Sequence, residues 1–220
     1  MSQITSSKEV LHICLNAASF KPLPQTFNQN WKEIKLSNNF SNRPDIFCQL
    51  NDFKLLTHQS YDAIWMPQGF NTLYLNDLKA FIQTTFNMLN DQGEFYFFIP
   101  NIKEVARLNY QTATEKIIPQ LGLSPKELTY GSTSEIDKFG DKATVKQAFS
   151  QHGLVELFKS SPFAKIEIND RRLYFTVKAT KVLSSSGLDI KVLNDDINLR
   201  IAMRDKLDQP TNLPVQYKNS

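Results

Sequence analysis

The sequence predicts an α/β protein built on a mostly parallel sheet, and three observations carry that expectation. Short apolar runs of strand length recur along the first hundred residues, at 10–15, 31–36, 45–50, 61–66 and 94–99. Between the last two lies a segment with a single apolar stripe at helical spacing, and strand–helix alternation of this kind builds parallel strands through right-handed crossovers. The run Phe95 to Ile99, FYFFI, is apolar on both faces, as a strand inside a sheet covered on both sides must be.

Residues 10–15, VLHICL, read as the first strand. Residues 17–30 contain Pro22 and Pro24 among side-chain amides, so no full helix is expected and the first crossover is shortened. Residues 31–36 set Trp31, Ile34 and Leu36 between charges, 45–50 follow Pro44, and 61–66 form the next run; these are the second, third and fourth strands. From Leu75 onward, Leu78, Ile82, Thr85 or Phe86, and Leu89 share one side of a helix, with Lys79, Gln83, Asn87 and Asn90 on the other. Asn76 is its expected N-cap, with Asp77 complementing the helix dipole. Asp91-Gln92-Gly93 reads as a turn into the fifth strand, 94–99, which Pro100 stops.

Beyond it the sequence predicts a helix over 101–110, a polar insertion over 109–140, and a helix over 142–151 ended by Gly153. Residues 155–159 and 172–180 read as a closing antiparallel pair of strands. Ser184-Ser185-Ser186-Gly187 reads as a linker, and 196–207 as one short helix. The expected organisation is one domain over 1–182, with the 109–140 insertion as a lid, and a tail over 183–220.

With 220 residues and 41% hydrophobic content the chain is long enough to bury one sizeable core. Its 25 Lys and Arg against 22 acidic residues are dispersed apart from Arg171-Arg172, so a nucleic-acid partner is not indicated. The N-terminus lacks the pattern of a signal peptide, and no apolar run approaches the roughly 20 residues that span a bilayer, so no membrane partner is expected. Cys14 and Cys48 each end an apolar run, which suits buried thiols in a reducing compartment and makes a cytoplasmic protein the expectation. His12, His58 and His152 have no metal-ligand spacing, and no His is placed to activate Cys14.

The segments SYDAIWMPQGFNTL (60–73) and NMLNDQGEFYFFIPN (87–101) resemble the class I S-adenosylmethionine-dependent methyltransferase family, in particular its small bacterial type 11 members. The framework matches at Asp62, Ala63, Ile64, Trp65, Leu73, Leu89, Gly93, Ile99 and Pro100. Leu11 to Ile13, Leu128 to Gly131, Lys138, Gly140 and Gln151 to Leu154 extend the similarity over about residues 10–180. The resemblance implies a Rossmann-like sheet, mostly parallel with a C-terminal antiparallel strand and helices on both faces. It also implies S-adenosylmethionine as cofactor and a small-molecule or protein substrate. Carried over position by position, the cofactor would lie against Cys14, Leu15 and Asn16 after the first strand, Gln49, Leu50 and Asp52 after the third, and Met66, Pro67, Gln68 and Gly69 after the fourth.

The departures cluster at those positions. The family's first-strand loop carries glycines that let backbone approach the cofactor's methionine part, whereas this chain has no glycine before Gly69. Lys35-Leu36-Ser37 stands where an acidic residue binds the ribose hydroxyls, and Gln49 where an Asp lies near the adenine, with Asp52 a partial substitute. A family H-V-L-E-H group is Gln68, Gly69, Phe70, Asn71 and Thr72, and a later His is Asp137.

Two readings follow. In one the chain is a divergent methyltransferase of unknown substrate, aligning donor and acceptor without a dedicated base, and it predicts a cofactor-sized pocket. In the other it is a catalytically inactive methyltransferase-like binding or scaffolding protein, homodimeric or engaging a protein partner through the tail or insertion. That reading predicts that Cys14 and Leu15 fill the pocket. No residue is assigned a catalytic role by the sequence.

Overall fold

The computed structural model describes residues 7–16, 19–27, 30–111, 124–183 and 187–194. Eight strands form one sheet: β1 (Lys8–Cys14), β2 (Trp31–Ser37), β3 (Ile46–Phe47), β4 (Tyr61–Met66), β5 (Leu89–Pro100), β6 (Lys165–Asp170), β7 (Tyr174–Thr180) and β8 (Asp189–Asn194). Their spatial order is β3-β2-β1-β4-β5-β7-β6-β8. The first five strands pair in parallel, β7 runs antiparallel to both β5 and β6, and β8 joins β6 in parallel. The helices are α1 (Leu75–Met88), α2 (Ile102–Gln111), α3 (Pro125–Tyr130), α4 (Thr133–Phe139) and α5 (Gln151–Lys159).

Alternation along the central strands divides their side chains between two cores. Leu11, Ile13, Ile64, Met66, Phe95, Phe97 and Ile99 form one cluster with Leu78, Phe81 and Ile82 of α1 and Leu154, Leu157 and Phe158 of α5. Phe97 is fully buried there, stacked on Phe70 at 3.9 Å and facing Phe158 at 5.9 Å. On the other side, Val10, Ala63, Trp65, Tyr96 and Phe98 meet Leu23, Phe27 and Trp31. The expectation of helices on both faces is thereby narrowed. Over β1 and β4 the second face is covered by the segment carrying Leu23 and Phe27, where Pro22 and Pro24 and the amides disfavour a helix.

Several predicted elements shift. The 45–50 strand shrinks to Ile46–Phe47, and the chain then coils through 3₁₀ turns over Leu50–His58, burying Phe53 against Phe81 at 4.5 Å. Helix α1 begins two residues earlier than an Asn76 cap would place it: Tyr74, not Asn76, occupies the N-cap, and no side chain caps it. Asp91-Gln92-Gly93 is not a turn but a bulge within β5, with Gln92 left-handed at φ 62° and the register jumping between Tyr61–Leu89 and Ala63–Glu94. Lys181 pins the bulge. Its backbone exchanges hydrogen bonds with Gln92 and Gly93, and its buried Nζ donates to the Leu89 carbonyl at 2.7 Å.

The largest correction concerns 142–159. The expected 142–151 helix is a 3₁₀ turn at Gly140–Ala143 followed by irregular chain, and the expected 155–159 strand is the second half of helix α5. Ser150 caps that helix by accepting from Gly153 N, so Gly153 lies in its first turn rather than ending it. The strand that pairs with β7 is instead β6, whose Ile166 and Ile168 face the core while Lys165 and Glu167 do not. Strand β8 was not predicted, and the predicted 196–207 helix lies outside the described residues.

Because Phe97 packs against rings on two sides, Phe97→Ala is expected to lower the unfolding free energy by about 3 to 5 kcal/mol, read from the urea midpoint at unchanged slope.

Candidate functional site

The loops that leave the carboxyl ends of β1, β4 and β5 meet on one edge of the sheet, the place where open α/β sheets bind ligands. A cleft of about 530 Å³ opens there, inside the roughly 300 to 1,000 Å³ common for small-molecule sites. The ends of β1, β4 and β5 line it with Leu15, Asn16, Pro67, Gly69, Ile99 and Pro100. Trp65, Phe98 and Tyr174 also line it, as do Leu128, Gly131, Ser132 and Val145 from α3, the start of α4 and the chain that follows. Asn71 holds this last segment in place, its carbonyl accepting from Lys146 N at 2.8 Å and Gln147 N at 3.0 Å, while Val145 N donates to the Tyr130 carbonyl. Polarity at the rim comes from Gln68, Asn71 and Thr72, with Lys21 and Glu127 the charged groups. Glu127 is already engaged in the capping box of α3, accepting from Ser124 N at 2.9 Å.

The close approach of two loops shapes this lining. Gly69 sits at φ +94°, and a Cβ on it would lie 2.6 Å from the Leu15 carbonyl oxygen, so only glycine lets the β4 loop rest on the β1 loop. Asn16, left-handed at φ 54°, then ties three loops together. Its N–H donates to Asn38 Oδ1 at 3.0 Å, its Oδ1 accepts from Asn38 Nδ2 at 2.7 Å, and its Nδ2 donates to Thr72 Oγ1 at 3.1 Å. Thr72 Oγ1 in turn donates to the Gly69 carbonyl at 2.7 Å. Beside it Asn42 Nδ2 donates to Ser37 Oγ at 3.1 Å and contacts Cys14 Sγ at 3.5 Å, and Gln68 Nε2 donates to the Ser19 carbonyl at 2.9 Å.

The residues singled out by sequence therefore separate into three groups. Leu15, Asn16, Pro67, Gln68 and Gly69 line the cleft. Cys14 and Met66 are fully buried beneath it. Gln49, Leu50 and Asp52, at the far end of β3, are not part of its lining, and Gln49 and Asp52 are exposed. Sequence reasoning missed Trp65, Phe98, Tyr174 and the α3–α4 wall, because a strand-end aromatic looks like core and the wall depends on long-range hydrogen bonds. Among the described residues no group of three metal-ligating side chains exists, and no helix is long and apolar enough to cross a membrane.

These contacts test whether the family's cofactor fits. The β1 loop backbone is packed against Gly69, and the ends of β1 and β2 are tied by amides where the resemblance places the ribose. The β3 residues meant for the adenine lie away from the cleft. The residues present do not fit S-adenosylmethionine in the family's manner.

The parallel run of β1 to β5 with an antiparallel β7 settles the architecture. The chain has a class I methyltransferase fold. No protein-family model and no curated protein matches the sequence. Among solved structures, an O-methyltransferase family protein from Burkholderia thailandensis is similar over 82% of this chain and 52% of its own, with TM-score 0.49 and 5% identity. An S-adenosylmethionine-dependent methyltransferase from Clostridium acetobutylicum is similar over 80% of this chain and 85% of its own, with TM-score 0.47 and 12% identity. One from Archaeoglobus fulgidus is similar over 80% and 87%, with TM-score 0.47 and 10% identity. The chain spans about half the length of the Burkholderia protein. The methyltransferase-like fold rests on the strand order and directions of this chain.

On the second face, His12 is fully buried, with Nδ1 2.7 Å from Glu33 Oε1. Burial pulls its pKa below the ordinary 6.5, against the hydrogen bond and charge of Glu33, which push it up; Lys35 adds to the lowering. The unfolded chain thus takes up this proton more readily than the native one. The stability tied to a neutral His12 is complete above pH 6.5 and is lost as pH falls from there through the lower native value. Lowering pH from about 7.5 to about 5.5 is expected to reduce the urea midpoint more in the parent protein than in His12→Gln. Gly69→Ala is expected to cost about 2 to 4 kcal/mol, from left-handed strain plus the collision with Leu15. Gly187→Ala, with open space around it, should stay within about 0.5 kcal/mol in the same urea titration.

Proposed function

We propose that this chain uses the methyltransferase fold as a binding module for a small organic molecule, seated in the cleft over β1, β4 and β5, and that it does so without S-adenosylmethionine. The observation that carries the reading is the mismatch between the two sides of the sheet edge. A cleft of about 530 Å³ opens between Trp65, Phe98 and the α3–α4 wall, while Asn16, Asn38 and Asn42 tie off the ends of β1 and β2. Losing the one charge-assisted ribose contact costs about 1.5 to 3 kcal/mol, ten- to a hundredfold in affinity, before the missing glycine loop is counted.

A second reading, methyl transfer by a divergent enzyme, is favoured by one observation: Leu15, Asn16, Pro67, Gln68 and Gly69 all reach the cleft. In that case the 109–140 segment, of which residues 112–123 lie outside the described residues, would serve as the substrate lid.

Calorimetric titration with S-adenosylmethionine and S-adenosylhomocysteine, backed by thermal unfolding, decides between them. The expected result is no heat and no shift in Tm at millimolar ligand. Micromolar binding, which at a hundredfold excess over Kd stabilises by about 2.7 kcal/mol, would overturn the first reading and establish the second.

A further inference from the structure

The two ends of the sheet are finished differently. At one end β3 has two residues and follows Pro44, too short a strand to template another. At the other end β8 offers six residues, and among the described residues it pairs with β6 alone. Asp189 N donates to the Ala164 carbonyl at 2.7 Å, so the backbone groups of Asp189, Lys191 and Leu193 turn toward β6. The N–H and C=O groups of Ile190 and Val192, with the carbonyl of Leu188, point outward along an edge that no other described strand covers.

The two faces of that edge are unlike. Ile190 and Val192 stand in register with Ile166 and Ile168, which are fully buried, so they share the core face and pack against its rim. Leu188, exposed, extends that apolar row by one step. Asp189 and Lys191 take the opposite face, their side chains 56% and 58% exposed and joined by a loose ion pair of 3.8 Å.

A second copy of the same strand fits this edge in one alignment. Antiparallel pairing about a two-fold axis centred on Asp189 or on Lys191 sets like charges opposite each other, which is destabilising. Centred on Val192, it leaves Lys191 opposite the partner's Leu193. Centred on Ile190, it sets Asp189 opposite the partner's Lys191 on both sides of the axis. In that alignment Ile190 meets the partner's Ile190 and exchanges two backbone hydrogen bonds with it. Val192 meets the partner's Leu188, whose outward carbonyl receives the Val192 N–H. Backbone groups, apolar row and charges are thus satisfied together.

We propose that this chain forms a two-fold dimer in which β8 pairs antiparallel with β8 of a second copy, centred on Ile190, so that two eight-stranded sheets continue as one. The contact is isologous and stops at two copies. It is independent of the ligand reading of the cleft, which lies over β1, β4 and β5.

Sedimentation velocity on the full chain tests it. The parent protein is expected to pass from one copy to two as concentration rises from micromolar toward millimolar. Asp189→Lys and Lys191→Asp each set like charges across the axis, and each is expected to weaken association about tenfold or more. Mixed together, the two variants set lysines against aspartates on both sides, and their heterodimer is expected to recover the parent's association. Amide exchange gives a readout without substitution: protection of Ile190 and Val192 is expected to rise with concentration, while Lys191, already bonded to β6, stays constant. A parent chain that remains single at millimolar concentration would overturn the proposal and leave this edge to a strand of some other protein. Dimers that ignore both single variants, variants that mixing does not rescue, or Ile190 and Val192 amides indifferent to concentration would overturn it as well.

Discussion

The contact between Gly69 and the Leu15 carbonyl decides where this protein has space and where it does not. Once the β4 loop lies on the β1 loop, Asn16 reaches Asn38 on one side and Thr72 on the other, and the ends of β1, β2 and β4 become one hydrogen-bonded unit. Each such bond contributes only about 0.5 to 1.5 kcal/mol net, and the groups are part-buried. The cleft lies over the carboxyl ends of β1, β4 and β5, with Leu15, Asn16 and Gly69 in its lining.

The aromatic content follows from a sheet that must be covered twice. Phe95 and Phe97 turn to α1 and α5, while Tyr96 and Phe98 on the same strand turn to Phe27 and Trp65. Without a helix on the second face near β1, rings contributed by loop and strand supply the covering area. That solution has a side effect. Rings packed edge-on do not close a surface as evenly as a helix does, and Trp65, Phe98 and Tyr174 are left as a wall beside the cleft.

Reading errors in the sequence have particular causes. In residues 151–159 the buried stripe is Leu154, Leu157 and Phe158, three positions in nine, and the short run VELFK at its end passes for strand alternation. The Asp91-Gln92-Gly93 segment has turn composition, but Lys181 supplies backbone partners that keep it in the sheet as a bulge. Strand β8 is assigned by its pairing with β6 from Lys165–Asp189 to Asp170–Asn194, a partner that local sequence does not name. By contrast β1, β4, β5 and α1 carry enough apolar periodicity to be read locally, and they are the frame of the site.

The sequence by itself determined the parallel frame of β1, β4, β5 and α1, because buried parallel strands and a one-stripe helix write their burial directly into residue order. It also showed that the positions where the resemblance places cofactor contacts carry other residues, since glycines and acids at strand ends are identities rather than geometries. Which of Cys14, Leu15, Asn16, Gln49, Leu50, Asp52, Met66, Pro67, Gln68 and Gly69 share a cavity was decided only by tertiary structure. That outcome depends on how two loops approach to within a carbonyl's reach, on amides that meet across Asn16, Asn38 and Thr72, and on a wall pinned to Asn71 from residues far along the chain. Contacts between residues so distant in sequence have no local signature, and they fix the cleft.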